Sequence, residues 1–189
     1  ELIRMDVPPA NPAHGDGGIV VHGKIVAVRG PSDPPILIRS ENPNGHRGHL
    51  MMHWQAEIDV VEIRDFGRTT NLVISATNPL GRYAVHWHLA GNASAGAYIK
   101  NCLIHDTLAP KSNRRFGIVV HGSNGVIVQG NTVRNKCGSG IYLEDGTEVD
   151  NVIEGNVVED IWDKGLNDWQ PFPARPDSTE SGMAGNGYY

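Results

Sequence analysis

Tyr98-Ile99-Lys100-Asn101-Cys102-Leu103-Ile104-His105-Asp106, Ile127-Val128-Gln129-Gly130-Asn131-Thr132-Val133-Arg134-Asn135 and Val152-Ile153-Glu154-Gly155-Asn156-Val157-Val158-Glu159-Asp160 can be laid over one another residue by residue. Between successive copies lies a second kind of strand, so one copy of each makes a coil of about 25 to 30 residues, the period of a solenoid. A coil of that size cannot bury its apolar face alone; coils must stack, and like positions then form columns along the axis. The fold predicted is an all-β, right-handed, single-stranded parallel β-helix. A β-sandwich with fortuitously similar strands is the competing reading, and it is weaker because sandwich strands need not repeat residue by residue. In the stack Asn131 lies over Asn156 as one step of an asparagine ladder, with Cys102 in register above.

Working outward, Ile58 to Asp65 reads as a degenerate copy and Gly18 to Val28 as strand material before it. The β-helix is expected over residues 1–170, with coils clearest over 48–165. The proline-bearing stretches Val7 to Pro12 and Pro31 to Pro35 are edge or loop segments, since proline cannot donate to a ladder. From Pro171 to Tyr189 the pattern fails, and this irregular tail is expected to cap the last coil or meet a partner. A second copy of the chain, or neighbouring coils beyond this sequence, would serve the same purpose, because an uncovered stack leaves strand edges exposed. The absence of an initiator Met agrees with a mature form or a piece of a longer protein.

The bulk properties narrow the partners. With 189 residues and 39% hydrophobic content the chain is sized for one domain. A net charge of −5 and a sequence pI near 6.0 argue against nucleic acid and anionic membrane as partners. No apolar run nears the roughly 20 residues needed to span a bilayer, and the N-terminus has no signal-peptide pattern. The 23 glycines recur with Asn and Asp between short β-branched runs, which is turn chemistry at intervals. Cys102 and Cys137 lack metal-site spacing and are read as reduced or merely packed, with a disulfide between them as the lesser alternative.

Chemistry concentrates on the second strand type. Aligning Ala84-Val85-His86-Trp87-His88 with Gly117-Ile118-Val119-Val120-His121 and Gly140-Ile141-Tyr142-Leu143-Glu144 places Val85, Ile118 and Ile141 in one core column and Trp87, Val120 and Leu143 in another. Strand side chains alternate, so the columns His86/Val119/Tyr142 and His88/His121/Glu144 are expected to point to solvent. Stacked strands lie about 4.8 Å apart, close enough for column neighbours to share a proton, a metal or a ligand. Asp145 follows at the strand end. Gly48 to His53 reads as the matching strand of the preceding coil, bringing His49 and His53 towards the same face.

The candidate catalytic residues are therefore His88, His121, Glu144 and Asp145. Arg82, whose fork of donors suits a carboxylate, joins Tyr142 and His49 as candidate substrate-binding groups. No cofactor is required by the sequence, but His86, His88 and His121, with a carboxylate from Glu144 or Asp145, would suit a borderline divalent metal ion. His14, His22 and His46 are read as solvated. A cupin reading of the His-x-His pair fails because no Glu follows shortly in Leu89-Ala90-Gly91-Asn92.

Gly48-His49, Val61-Glu62-Ile63-Arg64-Asp65-Phe66-Gly67, Gly81-Arg82-Tyr83-Ala84-Val85-His86-Trp87-His88-Leu89, Ile104-His105, Val120-His121-Gly122 and Leu143-Glu144-Asp145-Gly146 followed by Asp150-Asn151 occur in order over roughly residues 18 to 160. In these motifs the chain resembles the β-helix region of the cell-migration-inducing, hyaluronan-binding protein family and its transmembrane hyaluronidase-like relatives. The resemblance implies a right-handed, pectate lyase-like β-helix associated with binding or depolymerising a hyaluronan-like, anionic polysaccharide, and a secreted or cell-surface setting. The expected function is binding or degradation of a uronate-containing glycan, as a polysaccharide lyase or glycoside hydrolase if an enzyme. A non-catalytic carbohydrate-binding module using exposed aromatics such as Trp54, and a structural repeat, are the alternatives.

Overall fold

A computed structural model describes residues 19–21, 26–27, 35–44, 47–69, 75–107, 116–162 and 186–188, of which 19–21, 26–27, 162 and 186–188 are described by their backbone alone. The strands follow one another coil by coil. The first coil has β1 (Ile19–Val21), β2 (Val26–Ala27) and β3 (Ile36–Arg39); the second has β4 (Leu50–Met52), β5 (Glu57–Asp59) and β6 (Val61–Arg64). The third has β7 (Val85–Gly91), β8 (Tyr98–Lys100) and β9 (Leu103–His105), and the fourth β10 (Ile118–Ser123), β11 (Ile127–Gln129) and β12 (Thr132–Cys137). β13 (Ser139–Leu143), β14 (Val152–Glu154) and β15 (Val157–Trp162) complete a fifth, and β16 (Asn186–Tyr188) begins another.

Every third strand is a neighbour in space, and all the strand pairs are parallel. Three sheets result: sheet A in the order β1-β4-β7-β10-β13-β16, sheet B from β2 to β14, and sheet C from β3 to β15. The chain is a parallel β-helix. The one short helix among the described residues is a 3-10 turn at Asn92–Ser94, so no described helix is long and apolar enough to cross a membrane. Within the tail, residues 186–188 extend sheet A by pairing with β13; the rest of 163–189, like His14, His22, His46 and the stretch Val7 to Pro12, lies outside the described residues.

The period-two pattern produces the core. Leu50, Val85, Ile118 and Ile141 stack in sheet A; Ile58, Ile99, Val128 and Ile153 in sheet B; and Ile38, Ile63, Ile104, Val133 and Val158 in sheet C. They meet in one continuous apolar column, and each fully buried large aliphatic stabilises the fold by roughly 1.5–3 kcal/mol. The bend from sheet B to sheet C needs a left-handed backbone, supplied at equivalent positions by Val60 (φ 54°), Asn101 (φ 52°), Gly130 (φ 65°) and Gly155 (φ 63°).

The residue after that bend carries the ladder. Asn131 Oδ1 accepts the Cys102 N–H at 3.0 Å, and Asn131 Nδ2 donates to the Ile99 carbonyl at 2.9 Å and to Asn156 Oδ1 at 3.0 Å. Cys102 ends the ladder as an apolar stand-in, and burial pushes its thiol up to about 12. Neither cysteine is in a disulfide, and both are buried. Asn131→Ala strands the buried Cys102 N–H and the Ile99 carbonyl, each an unmade bond worth about 1–3 kcal/mol. The expected result is a loss of about 2–3 kcal/mol in urea unfolding with an unchanged slope. A midpoint at the wild-type position would contradict the ladder's contribution.

Candidate functional site

The outer face of sheet A departs from a solvated surface. His86, Val119 and Tyr142 point away from the core as the alternation requires, yet their relative exposures are 0%, 0% and 1%. A second apolar layer covers them. Tyr83 stacks on Phe116 with ring centroids 4.8 Å apart, and Phe116 meets Tyr142 edge-on at 5.5 Å. The expectation that this column faces solvent is thus corrected: residues from the segments joining the coils fold back over the strands. Tyr142 and His49 are buried with it, so neither side chain is at the surface to touch a glycan.

The next column lies within β7 and β10 and just beyond the ends of β4 and β13. Beyond the aligned Met52, Trp87 and Val120 come His53, His88 and His121, and Glu144 follows Leu143 in the coil above. Leu89 and Gly122, the residues after the two histidines, are both left-handed (φ 50° and 53°), and the register slips between His121 and Ser123. A Cβ on Gly122 would sit 2.7 Å from Leu89 Cδ2. The glycine of Val120-His121-Gly122 thus admits the bulge that follows the paired histidines, after which Ser123 pairs with Gly91.

Four rings meet there. His88 lies 5.0 Å, centroid to centroid, from both His86 and His121, while His53 is 5.3 Å from His88 and its Nδ1 donates to the His88 carbonyl at 2.7 Å. His86 Nδ1 donates to the Gly81 carbonyl at 2.5 Å, which fixes the tautomer and leaves Nε2 as the lone-pair nitrogen. That Nε2 is buried without a hydrogen-bond partner among the described residues and faces Glu144 Oε2 at 3.9 Å. His121 Nδ1 is 3.4 Å from the same oxygen, and His121 Nε2 is 3.0 Å from Asp145 Oδ2. Tyr83 donates its hydroxyl proton to Glu144 Oε1 at 3.2 Å.

Of the predicted site residues the structure brings together His86, His88, His121, Glu144 and Asp145. One donor atom each from His86, His121 and Glu144 lies within 4.8 Å of the others. His88, expected in the metal set, stands beside this group rather than in it. Arg82 is held by its backbone, whose N–H donates to Thr69 Oγ1 and whose carbonyl accepts from Arg68 and Thr69, close enough to His49 for their charges to interact.

Two contributors were missed by the sequence reading. Tyr83 lies inside the quoted Gly-Arg-Tyr motif but offered no signal of its role in positioning Glu144. Glu148 accepts hydrogen bonds from Gly122 N–H at 2.9 Å and Asp145 N–H at 3.1 Å, tying the loop after Glu144 to the bulge. Burial opposes its charge, but those backbone donors outweigh it and lower its pKa.

Burial also sets the charge of the histidines. It is the largest cause lowering His86 to about 3, against the opposing Gly81 hydrogen bond and with help from His88, His121 and His49. Burial, then His121 and His53, lowers His88 to about 4, and burial, then Arg82 and Arg68, lowers His49 to about 4. All three are neutral at pH 7. Their folded values lie below the unfolded value near 6.5, so between those limits the unfolded chain binds more protons and stability rises with pH. In the presence of a chelator, the contribution is therefore expected to be complete above pH 6.5 and lost progressively towards pH 3–4, with about 1.4 kcal/mol per pH unit from each fully titrating histidine. Urea midpoints that stay flat from pH 7 to 4 would contradict this.

With this geometry established, the family model described as the CEMIP beta-helix matches residues 45–168. The chain belongs to the CEMIP β-helix family. Similar proteins to this CEMIP β-helix include a G8 domain-containing protein of Dictyostelium discoideum, 33% identical over 118 residues, which are 62% of the chain and 7% of that protein. Fibrocystin-L of Mus musculus is 35% identical over 79 residues, 42% of the chain and 2% of its own length. The human cell surface hyaluronidase CEMIP2 is 26% identical over 113 residues, 58% of the chain and 8% of that protein. The chain thus spans less than a tenth of the length of each of these relatives. No solved structure matches it.

Proposed function

We propose that this CEMIP β-helix binds and cleaves a uronate-containing polysaccharide of the hyaluronan type where His88, His121, Glu144 and Asp145 meet on sheet A. The observation that carries the reading is His121, whose two ring nitrogens face two different carboxylates, Glu144 at 3.4 Å and Asp145 at 3.0 Å. A ring so placed can take a proton on one side and return it on the other, which is what general acid–base cleavage of a polysaccharide needs. Glu144 and His121 are partly exposed and Asp145 more so, so a chain lying across sheet A can reach them.

Two further features support an extended glycan. Trp54, 56% exposed, follows His53 at the edge of the histidine row and offers a flat apolar surface for a sugar ring. Arg82 adds positive charge beside His49, suited to a uronate carboxylate. The name of the human relative, a hyaluronidase, agrees with this substrate class.

The test is incubation of the whole chain with hyaluronan and other uronate polysaccharides, scored for new reducing ends and for unsaturated uronate. Reducing ends alone indicate hydrolysis, and both together indicate a lyase. Binding without either product would leave a carbohydrate-binding module and overturn the catalytic part of the proposal; neither product nor binding would overturn it entirely.

A further inference from the structure

We propose that His86 Nε2, His121 Nδ1 and a Glu144 carboxylate oxygen form a binding site for one divalent transition-metal ion of the zinc type, with a fourth coordination position open towards solvent. In a tetrahedral zinc site with bonds of about 2.0–2.1 Å, donor atoms stand roughly 3.4 Å apart. Glu144 Oε2 lies 3.4 Å from His121 Nδ1 and 3.9 Å from His86 Nε2, and one donor from each residue lies within 4.8 Å of the others. Bonding distance requires the His86 and His121 rings, stacked with centroids 5.8 Å apart, to close towards the Glu144 carboxylate.

The second observation is the unpartnered nitrogen. His86 is fully buried, and its Nε2, with no hydrogen-bond partner among the described residues, lies 3.9 Å from Glu144 Oε2 and within 4.8 Å of a His121 ring nitrogen. A buried acceptor left without a partner is costly, and a cation at this point would satisfy it.

The outer partners of each donor are also those of a metal site. Metal-bound imidazoles donate their other N–H to a carbonyl or carboxylate, which fixes the ring and its tautomer. His86 Nδ1 does so to the Gly81 carbonyl, His121 Nε2 stands 3.0 Å from Asp145 Oδ2, and the Tyr83 hydroxyl holds the far oxygen of Glu144. Nothing in the strand pairing requires these three separate arrangements to converge on one point.

Two imidazoles and one carboxylate are a mixed nitrogen–oxygen set that favours a borderline ion over the all-oxygen shells preferred by calcium and magnesium. Three protein ligands leave one position for water or for an oxygen of a bound glycan. This site rests on its own geometry and its test needs no glycan; with an ion bound, His121 Nδ1 and Glu144 are its ligands, so the proton transfer of the proposed cleavage belongs to the metal-free chain.

The whole chain, stripped with a chelator and dialysed, is titrated with zinc in a calorimeter and with cobalt(II) followed by visible absorption. One ion per chain is expected, with the intense cobalt bands of a four-coordinate site and no comparable uptake of calcium. His121→Asn and Glu144→Gln, both at partly exposed positions, each weaken zinc binding at least a hundredfold while circular dichroism stays that of the parent. Asp145→Asn, which removes an outer partner, weakens it about tenfold, within the range for such partners. His105→Asn, at a ring that pairs with Glu62 on sheet C, leaves it unchanged. Absence of a saturable site in the parent, or zinc affinity unaltered in both His121→Asn and Glu144→Gln, would overturn the assignment.

Discussion

Replacing Asp106 with Ala is expected to remove about 3–5 kcal/mol of stability, the usual cost of leaving a buried charge without its counterion. Asp106 is fully buried and takes Lys136 Nζ at 2.9 Å and Arg47 at 3.0 Å, both of them also buried. Lys136 Nζ donates a second bond, 2.8 Å, to the Phe66 carbonyl. One carboxylate thus joins the segment before β4, the end of β6, the end of β9 and the end of β12. Without it two cations remain inside the fold with no anion between them. Asp106→Asn, which keeps the shape but not the charge, is expected to lose nearly as much. Arg134→Ala, which removes an exposed ion pair with Glu159 at 4.0 Å, is expected to stay within about 1 kcal/mol. Urea unfolding of the three variants checks this, and an Asp106→Ala loss below about 1 kcal/mol would contradict it.

The second large effect concerns turnover. His121→Ala and Glu144→Gln are each expected to lower cleavage of a uronate polysaccharide on the order of 10²–10⁴-fold, the range for a proton-transferring group. Both positions are partly exposed, so the fold is expected to survive. Because Glu144 Oε2 faces His121 Nδ1 directly, the two act as a unit, and the double variant is expected to be little worse than either single one. Losses that multiply, or single variants with full activity, would show that the two residues work separately or not at all. Kinetics on whichever polysaccharide is cleaved, with unfolding curves alongside, make the comparison.

The strand columns were legible because their cause is local: a period of two, repeated coil after coil, leaves Val85, Ile118 and Ile141 only one face on which to be buried. The asparagine ladder was legible for the same reason, since Asn131 and Asn156 follow the same bend. His88, His121 and Glu144 were read into one column, and they share it. The outer layer was not legible, because Tyr83 and Phe116 come from segments between coils, where no period constrains direction. That is why Tyr142 and His49 read as surface residues and are buried.

The tautomer of His86 depends on a backbone carbonyl, Gly81, and carbonyls leave no mark in a sequence. Lys136 shows the same limit differently. It follows Asn135, which is left-handed at φ 52°, and a turn of that kind breaks the alternation that placed Arg134 outside. Its inward position depends on Asp106 and Arg47, distant in the chain and brought near only by stacking.

The most direct test of the site as a glycan-binding surface is an NMR titration of histidine-labelled protein with a short hyaluronan oligosaccharide. The account predicts saturable movement of the His88 and His121 imidazole signals, with His105, paired with Glu62 on sheet C, unmoved. Movement confined to His105, with His88 and His121 still at saturation, would contradict it.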